Sequence, residues 1–302
     1  MRRNLWAPTA STLAASLVIG LSACSDSTNP SGGPTISASE TNDIGEAMAD
    51  EVDQSVGSLT VGGAASGEAS AQSAVSYSVM GLSMDGNSCA TVSGSADTDG
   101  DFAPDLATFT FALPACSFTG FRGGTLEITG SVDLSDPTPT DFDFALQATL
   151  HDLQFKFTGP QGDKSYTALR NGTRVLTGDA NGLVLTNNVT VDRTFPIRLP
   201  AAVTHDLVLA FTPSEGSTII LGQPLPSGTF VKGGTFTWTR GSTTRTFTVT
   251  TVTPLVWDSS CTTDRKIASG EIHATLSDGS YIKTVWSGCG VDPVRTFVSA
   301  TS

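Results

Sequence analysis

From about residue 74 to its C-terminus the chain alternates apolar and polar residues with a period of two. These runs are rich in Thr, Val and Phe and are broken by Gly, Asp, Asn and Pro. Successive side chains of a β-strand point to opposite faces, so this period puts one face of each run in a core and the other in water. Roughly a dozen such runs follow one another with no helical period between them. The fold class this predicts is all-β: an antiparallel β-sandwich, or a strongly curved sheet or half-barrel.

Individual runs refine that expectation. In TLEITGSVDL, Leu126, Ile128, Val132 and Leu134 share one face, while Thr125, Glu127, Thr129, Ser131 and Asp133 share the other. DFDFALQATLHDLQFKF begins with apolar residues at Phe142, Phe144, Leu146, Ala148 and Leu150 and ends with them at Leu153, Phe155 and Phe157. That change of parity requires one extra residue near His151-Asp152, a β-bulge, and a long bulged strand bends. Turn chemistry marks hairpins at Asn171-Gly172 and Asp278-Gly279, pairs suited to a type I′ turn. A third, at Gly241-Ser242, sets Phe236 against Phe247 and Trp238 against Arg245, an aromatic pair beside a cation-π pair. TLHDLQFKFT (149–158) echoes VTHDLVLAFT (203–212) at an offset of 54 residues. A duplicated β unit and chance likeness between amphipathic strands both produce such an echo. Residues 74–302 thus read as one antiparallel β domain, or two fused β units.

The first 73 residues are organised differently. MRRN, the apolar run AASLVIGLSA and then Cys24 follow the order of a secretory signal. The run is shorter than the roughly 18 to 20 residues a membrane-spanning helix needs. The tetrapeptide LSAC at 21–24 resembles the lipobox of bacterial lipoproteins. The resemblance implies that signal peptide 1–23 is removed and that Cys24 is the lipidation site, acylated with a chain such as palmitate, which makes the lipid bilayer a partner. Ser25 after the Cys implies, in that family's sorting pattern, export to the outer membrane, with the periplasmic and cell-surface faces both open. Residues 24–39 are polar and contain Gly and Pro, which predicts a disordered tether. A short helix is expected over 40–58, from Asp43 and Glu46 at capping-box spacing and a narrow stripe of Ile44, Met48 and Val52; docked and mobile helices are both compatible with it. Residues 59–73, rich in Gly, Ala and Ser, read as a flexible linker.

Charge and cysteines narrow the partners. The net charge of -13 argues against nucleic acid. From Cys24 to Asp152 there are 19 acids and one base, Arg122, whereas from Leu153 onward there are 10 acids and 13 bases. Such a field draws cations to the first half, and solubility explains it as well. Four cysteines remain beside Cys24, an even number in an exported chain, which predicts two disulfides. Cys89 and Cys116 lie far along the chain from Cys261 and Cys289, favouring local pairs. If Cys89 faced Cys116 across a hairpin, Val92 would meet Leu113, Gly94 would meet Phe111 and Ala96 would meet Phe109. A long loop, 97–108, would remain between them.

That loop contains DTDGDFAPD. Converging carboxylates repel unless a cation joins them, and calcium takes six to eight oxygens. The candidate ligands are Asp97, Asp99, Asp101 and Asp105. Their spacing resembles the D-x-D-x-D-G-x-x-D loops of thrombospondin type 3 and related extracellular calcium repeats, with Phe102 standing where those loops carry Gly. The resemblance implies calcium as the cofactor; a metal-free acidic turn is the competing reading. Thr108 stands where an EF-hand would place its bidentate Glu.

No catalytic motif spacing occurs, and no catalytic residues are assigned. His151, His205 and His273 neighbour Asp152, Asp206 and Glu271, but only Glu271 and His273 share a strand face; partly exposed strand histidines are the expectation. Trp238, Trp257 and Trp286 are expected in the core. The function expected is a lipid-anchored cell-envelope protein with a binding or structural role, calcium-stabilised, whose ligand is a polysaccharide, an apolar molecule or an envelope protein. A half-barrel carrier of an apolar ligand and a hydrolase of envelope or extracellular polymers are the alternatives.

Overall fold

A computed structural model describes residues 36–58, 89–94, 97–101, 103–119, 124–141, 143–159, 165–195, 199–220, 223–262 and 266–300. The signal peptide, Cys24, tether residues 24–35, the linker, Phe102 and Phe142 lie outside them. One helix, α1 (Ala38–Ser58), precedes thirteen strands: β1 (Thr91–Gly94), β2 (Ala107–Phe111), β3 (Ser117–Thr119), β4 (Thr125–Ser135), β5 (Leu146–Thr158), β6 (Ser165–Asp179), β7 (Gly182–Thr194), β8 (Ala201–Pro213), β9 (Gly228–Arg240), β10 (Thr243–Trp257), β11 (Ile267–Thr275), β12 (Tyr281–Trp286) and β13 (Val294–Val298). They form a single antiparallel sheet that does not close, in the order β1-β2-β4 and then sequentially to β13, with β3 also paired to β4. Of the expected architectures the single sheet, not the two-sheet sandwich, is the one found.

The sheet bends where its sequence departs from simple alternation. The bulge expected at His151-Asp152 is present: β5 pairs Leu150 with Gly172 and Leu153 with Arg170, so β5 holds one residue more than β6. Asp152 takes a positive φ of 48°, and Asn171 secures it by accepting the Asp152 N–H at 2.8 Å and donating to its carboxylate at 3.1 Å. Asn171-Gly172 is therefore no hairpin turn. It lies inside the continuous β6, where Gly172, at φ 136°, lets the Asn188 carbonyl come within 2.1 Å of the place a Cβ would occupy. The Asn-Gly pair serves a tight strand contact rather than a reversal.

Other registers follow or correct the sequence reading. Phe247 pairs with Phe236 and Arg245 with Trp238 as expected, and the two phenyl centroids are 5.8 Å apart. The cation over Trp238 is Arg240 at 5.0 Å, because Arg245 turns to Glu40 of α1. The Asp278-Gly279 reversal is present but is a three-residue turn closed by Leu276 and Ser280, with only Gly279 at positive φ, not type I′. Cys89 bonds to Cys116 and Cys261 to Cys289. The first pair does not face across β1 and β2, however: Val92 meets Phe109 and Gly94 meets Ala107, four residues from the expected register. Cys116 instead follows β2 in a separate turn, and the described residues 97–101 and 103–106 precede β2.

Helix α1 is docked. Ser37 caps it, its Oγ accepting the Glu40 N–H at 3.2 Å, so the cap lies at Ser37 rather than Asp43 and the helix begins at Ala38. Ile44, Met48 and Val52, the predicted stripe, are 0 to 1% exposed, each side chain contributing about 1.5 to 3 kcal/mol by burial. Acidic residues of α1 reach β10 through Glu40–Arg245, β9 through Asp43–Arg240 and β6 through Glu51–Arg174. A single helix touches strands this far apart only if the sheet curls around it. Two apolar clusters line the inside, one with Ile44 and Met48, the other with Ala49 and Val52.

Candidate metal centre

The antiparallel pairing of Ala107 with Leu134 puts the start of β2 beside the end of β4. The segments entering β2 (97–101 and 103–106) and leaving β4 (136–141 and 143–145) thus meet at one end of the sheet, tied by the Asp136 N–H donating to the Pro104 carbonyl at 2.9 Å. Carboxylate oxygens of Asp97, Asp99 and Asp101 lie within 4.8 Å of one another, and so do those of Asp101, Asp136 and Asp143. Three of the four sequence candidates are therefore brought together. Asp105 is turned to Thr98, accepting its N–H at 3.0 Å and its hydroxyl at 2.6 Å. It closes the loop instead of joining the cluster.

Local hydrogen bonds fix these carboxylates before any ligand is considered. The Gly100 N–H donates to Asp97, that of Asp101 to Asp99, and that of Ala103 to Asp101, at 2.7, 3.2 and 2.8 Å. Each is an Asx-type turn, the usual behaviour of Asp in a tight loop. Across the gap Asp136 accepts the Thr138 N–H at 2.8 Å, while Asp143 accepts the Ala145 N–H at 2.6 Å and the Thr138 hydroxyl at 2.8 Å. Asp136 and Asp143 were not singled out in the sequence. Their signal was a second Asp-rich loop, SDPTPTDFD, and only the β2–β4 pairing reveals that it adjoins the first.

What the turns leave over is chemically informative. Asp101 is 1% exposed and Asp136 6%, and the Oδ2 atoms of Asp99, Asp101 and Asp136 are buried with no hydrogen-bond partner among the described residues. Burial, opposed by the Ala103 N–H and reinforced by the Asp99 and Asp136 carboxylates, pushes the Asp101 carboxyl up to about 6. Like charges about 4 Å apart repel by about 4 kcal/mol at an effective dielectric of 20. A cation relieves both penalties. Calcium binds oxygen at about 2.3 to 2.6 Å, so two ligands on opposite sides of one ion stand up to about 5 Å apart. The spacing and the all-oxygen donor set fit calcium.

A second buried polar group gathers around α1. Glu51, 2% exposed, accepts hydrogen bonds from Arg174 at 3.0 Å and from Asn187, with His205 Nε2 3.9 Å away. Burial alone would raise its carboxyl, but Arg174, His205, Lys232 and Arg170 bring it down to about 2. Burial holds His205 down at about 3, neutral at physiological pH. The histidines do not assemble: His151 pairs with Asp133 at 2.9 Å, His273 with Glu271 at 2.6 Å, and His205 is inside the curl. The expectation of partly exposed histidines fails for His205. Trp238 and Trp286 are core residues at 3% exposure. The carboxylate of Asp258, near Cys261 and Cys289, is engaged by Ser260, and both sulfurs are spent in the disulfide. No family model, no curated protein and no solved structure matches this chain.

Proposed function

We propose that this chain is a lipid-anchored protein of the bacterial cell envelope with a binding or structural role, in which calcium orders one end of a β domain. The observation that carries the calcium part is the set of buried carboxylate oxygens on Asp99, Asp101 and Asp136 that have no hydrogen-bond partner among the described residues. Such atoms cost free energy unless a donor or a cation meets them. In this role Asp97, Asp99, Asp101, Asp136 and Asp143 hold the ion, and Asp105 holds the loop. The ion would supply positive charge that joins two loops; the chain's own residues supply the preformed turns. The LSAC motif supports the anchor at Cys24, and the outer membrane is the destination implied by Ser25.

Ile44, Met48 and Val52 fill the concave face that an apolar ligand would need, which leaves the carrier reading with less support. His151, His205 and His273 lie in separate surroundings, which leaves the His-based version of the hydrolase with less support. The test is the melting temperature of the disulfide-intact protein in calcium, magnesium and chelator. Calcium at about 100 times its dissociation constant should add about 2.7 kcal/mol. A calcium-selective rise abolished in Asp99→Asn supports the reading, whereas equal curves in all three conditions refute its calcium part.

A further inference from the structure

The carboxylates do not form one ring. They form two triads that meet at a single residue: Asp97, Asp99 and Asp101 on the first loop, and Asp101, Asp136 and Asp143 across both loops. Within each triad the oxygens are close enough for a common ion, but the five do not merge into one set within that distance. We infer that the centre takes two calcium ions, one in each triad, with the Asp101 carboxylate shared between them. This rests on the calcium reading above and extends it from one ion to two.

Three observations support it. Each triad has its own unsatisfied oxygen beside the shared one, Asp99 Oδ2 in the first and Asp136 Oδ2 in the second, and Asp101 Oδ2 is unsatisfied between them, among the described residues. Two of these belong to side chains more than nine-tenths buried, Asp101 and Asp136, where water is a poor substitute. Charge points the same way: of the five carboxylate charges one dication offsets two, and two dications offset four. Finally, backbone N–H groups of Ala103, on Oδ1, and of Asp143 face the Asp101 carboxylate, and its Oδ2 has no hydrogen-bond partner among the described residues. A carboxylate can serve two ions in this way because each oxygen carries two lone pairs. The ions would have different tasks, the first joining Asp97, Asp99 and Asp101 within one segment and the second fastening Asp101 to Asp136 and Asp143 of the other.

The experiment counts calcium bound per chain by isothermal titration and by elemental analysis after dialysis, on the full disulfide-intact chain stripped with chelator. Two ions per wild-type chain are expected. Asp143→Asn, which keeps an oxygen for the Ala145 N–H, should leave one ion, as should Asp97→Asn, while Asp101→Asn should weaken both sites at least tenfold. One ion per wild-type chain overturns the inference and leaves the calcium reading intact; none overturns both. Two ions with Asp101→Asn weakening only one would overturn the sharing. The wild-type count is independent of whether any variant folds.

Discussion

Glu51 and Asp101 are almost equally removed from solvent, at 2% and 1% exposure, yet they sit in opposite electrical surroundings. Around Glu51 stand Arg174, Arg170 and Lys232, drawn from β6 and β9, and its carboxyl is held down at about 2. Around Asp101 stand other aspartates, and its carboxyl is pushed up to about 6. The first carboxylate is met by cationic side chains; the second faces other carboxylates. A buried ionic group that the chain completes needs no ligand. A buried acid among like charges is, on the calcium reading, where an ion would sit. Perturbed titration marks both, and the sign of the neighbours distinguishes them.

The strongest way to break this contrast is to remove the compensated acid. Glu51→Ala leaves Arg174 buried without its carboxylate and should cost about 3 to 5 kcal/mol in denaturant unfolding. The increment from calcium should persist in that variant, because distant sites add; loss of the calcium increment would show that the two centres are one system. Next in size is the acidic centre itself. Asp136→Asn should remove much of the calcium-dependent rise in melting temperature, of order 2 kcal/mol at saturating ion, while changing the chelator baseline little or improving it, since it relieves repulsion.

The response to pH should separate the centres by sign. Glu51 is depressed from 4.5 to about 2, so its contribution is complete above about 4.5 and disappears as pH falls through 2. His205, depressed from 6.5 to about 3, costs stability over the window between those values as pH falls, because the unfolded chain takes up a proton the native one refuses. Asp101, raised from 3.8 to about 6, acts the other way: the metal-free protein should gain from it as pH falls from about 6 to about 4. Unfolding curves in chelator across pH 3 to 7, for wild type and Asp101→Asn, check this, and the variant should lose only the opposing component. The smallest effect belongs to Asp105→Asn, which weakens a loop closure and should change stability by about 1 kcal/mol or less. A calcium loss in that variant as large as in Asp99→Asn would place Asp105 among the ligands after all.

The legibility of these two regions differed for physical reasons. Strand parity carried the sheet, because Leu126, Ile128, Val132 and Leu134 keep period two, and it even located the bulge at Asp152. The same parity marks Asn187 and His205 as inward, since each interrupts an apolar alternation, between Leu185 and Val189 and between Val203 and Leu207. Their common meeting point with Glu51 was not visible, because it depends on α1 docking across four strands. In the acidic centre the first loop was readable from spacing along the chain. Asp136 and Asp143 were not, because their proximity arises from β2–β4 pairing. Asn171-Gly172 misled because glycine serves tight strand contacts as well as turns.

The docking of α1 also has a consequence for the order in which the molecule is built. From β4 onward each strand pairs with its neighbour in sequence, so hairpins can close one after another as the chain becomes accessible, with little loop entropy to overcome at each step. The helix belongs to no such local unit. Asp43 waits for Arg240, 197 residues later, and Glu40 for Arg245, 205 residues later. The helix precedes every strand in the chain yet is among the last elements to be enclosed, and its Ile44, Met48 and Val52 stripe must be kept from other apolar surfaces until the final strands arrive.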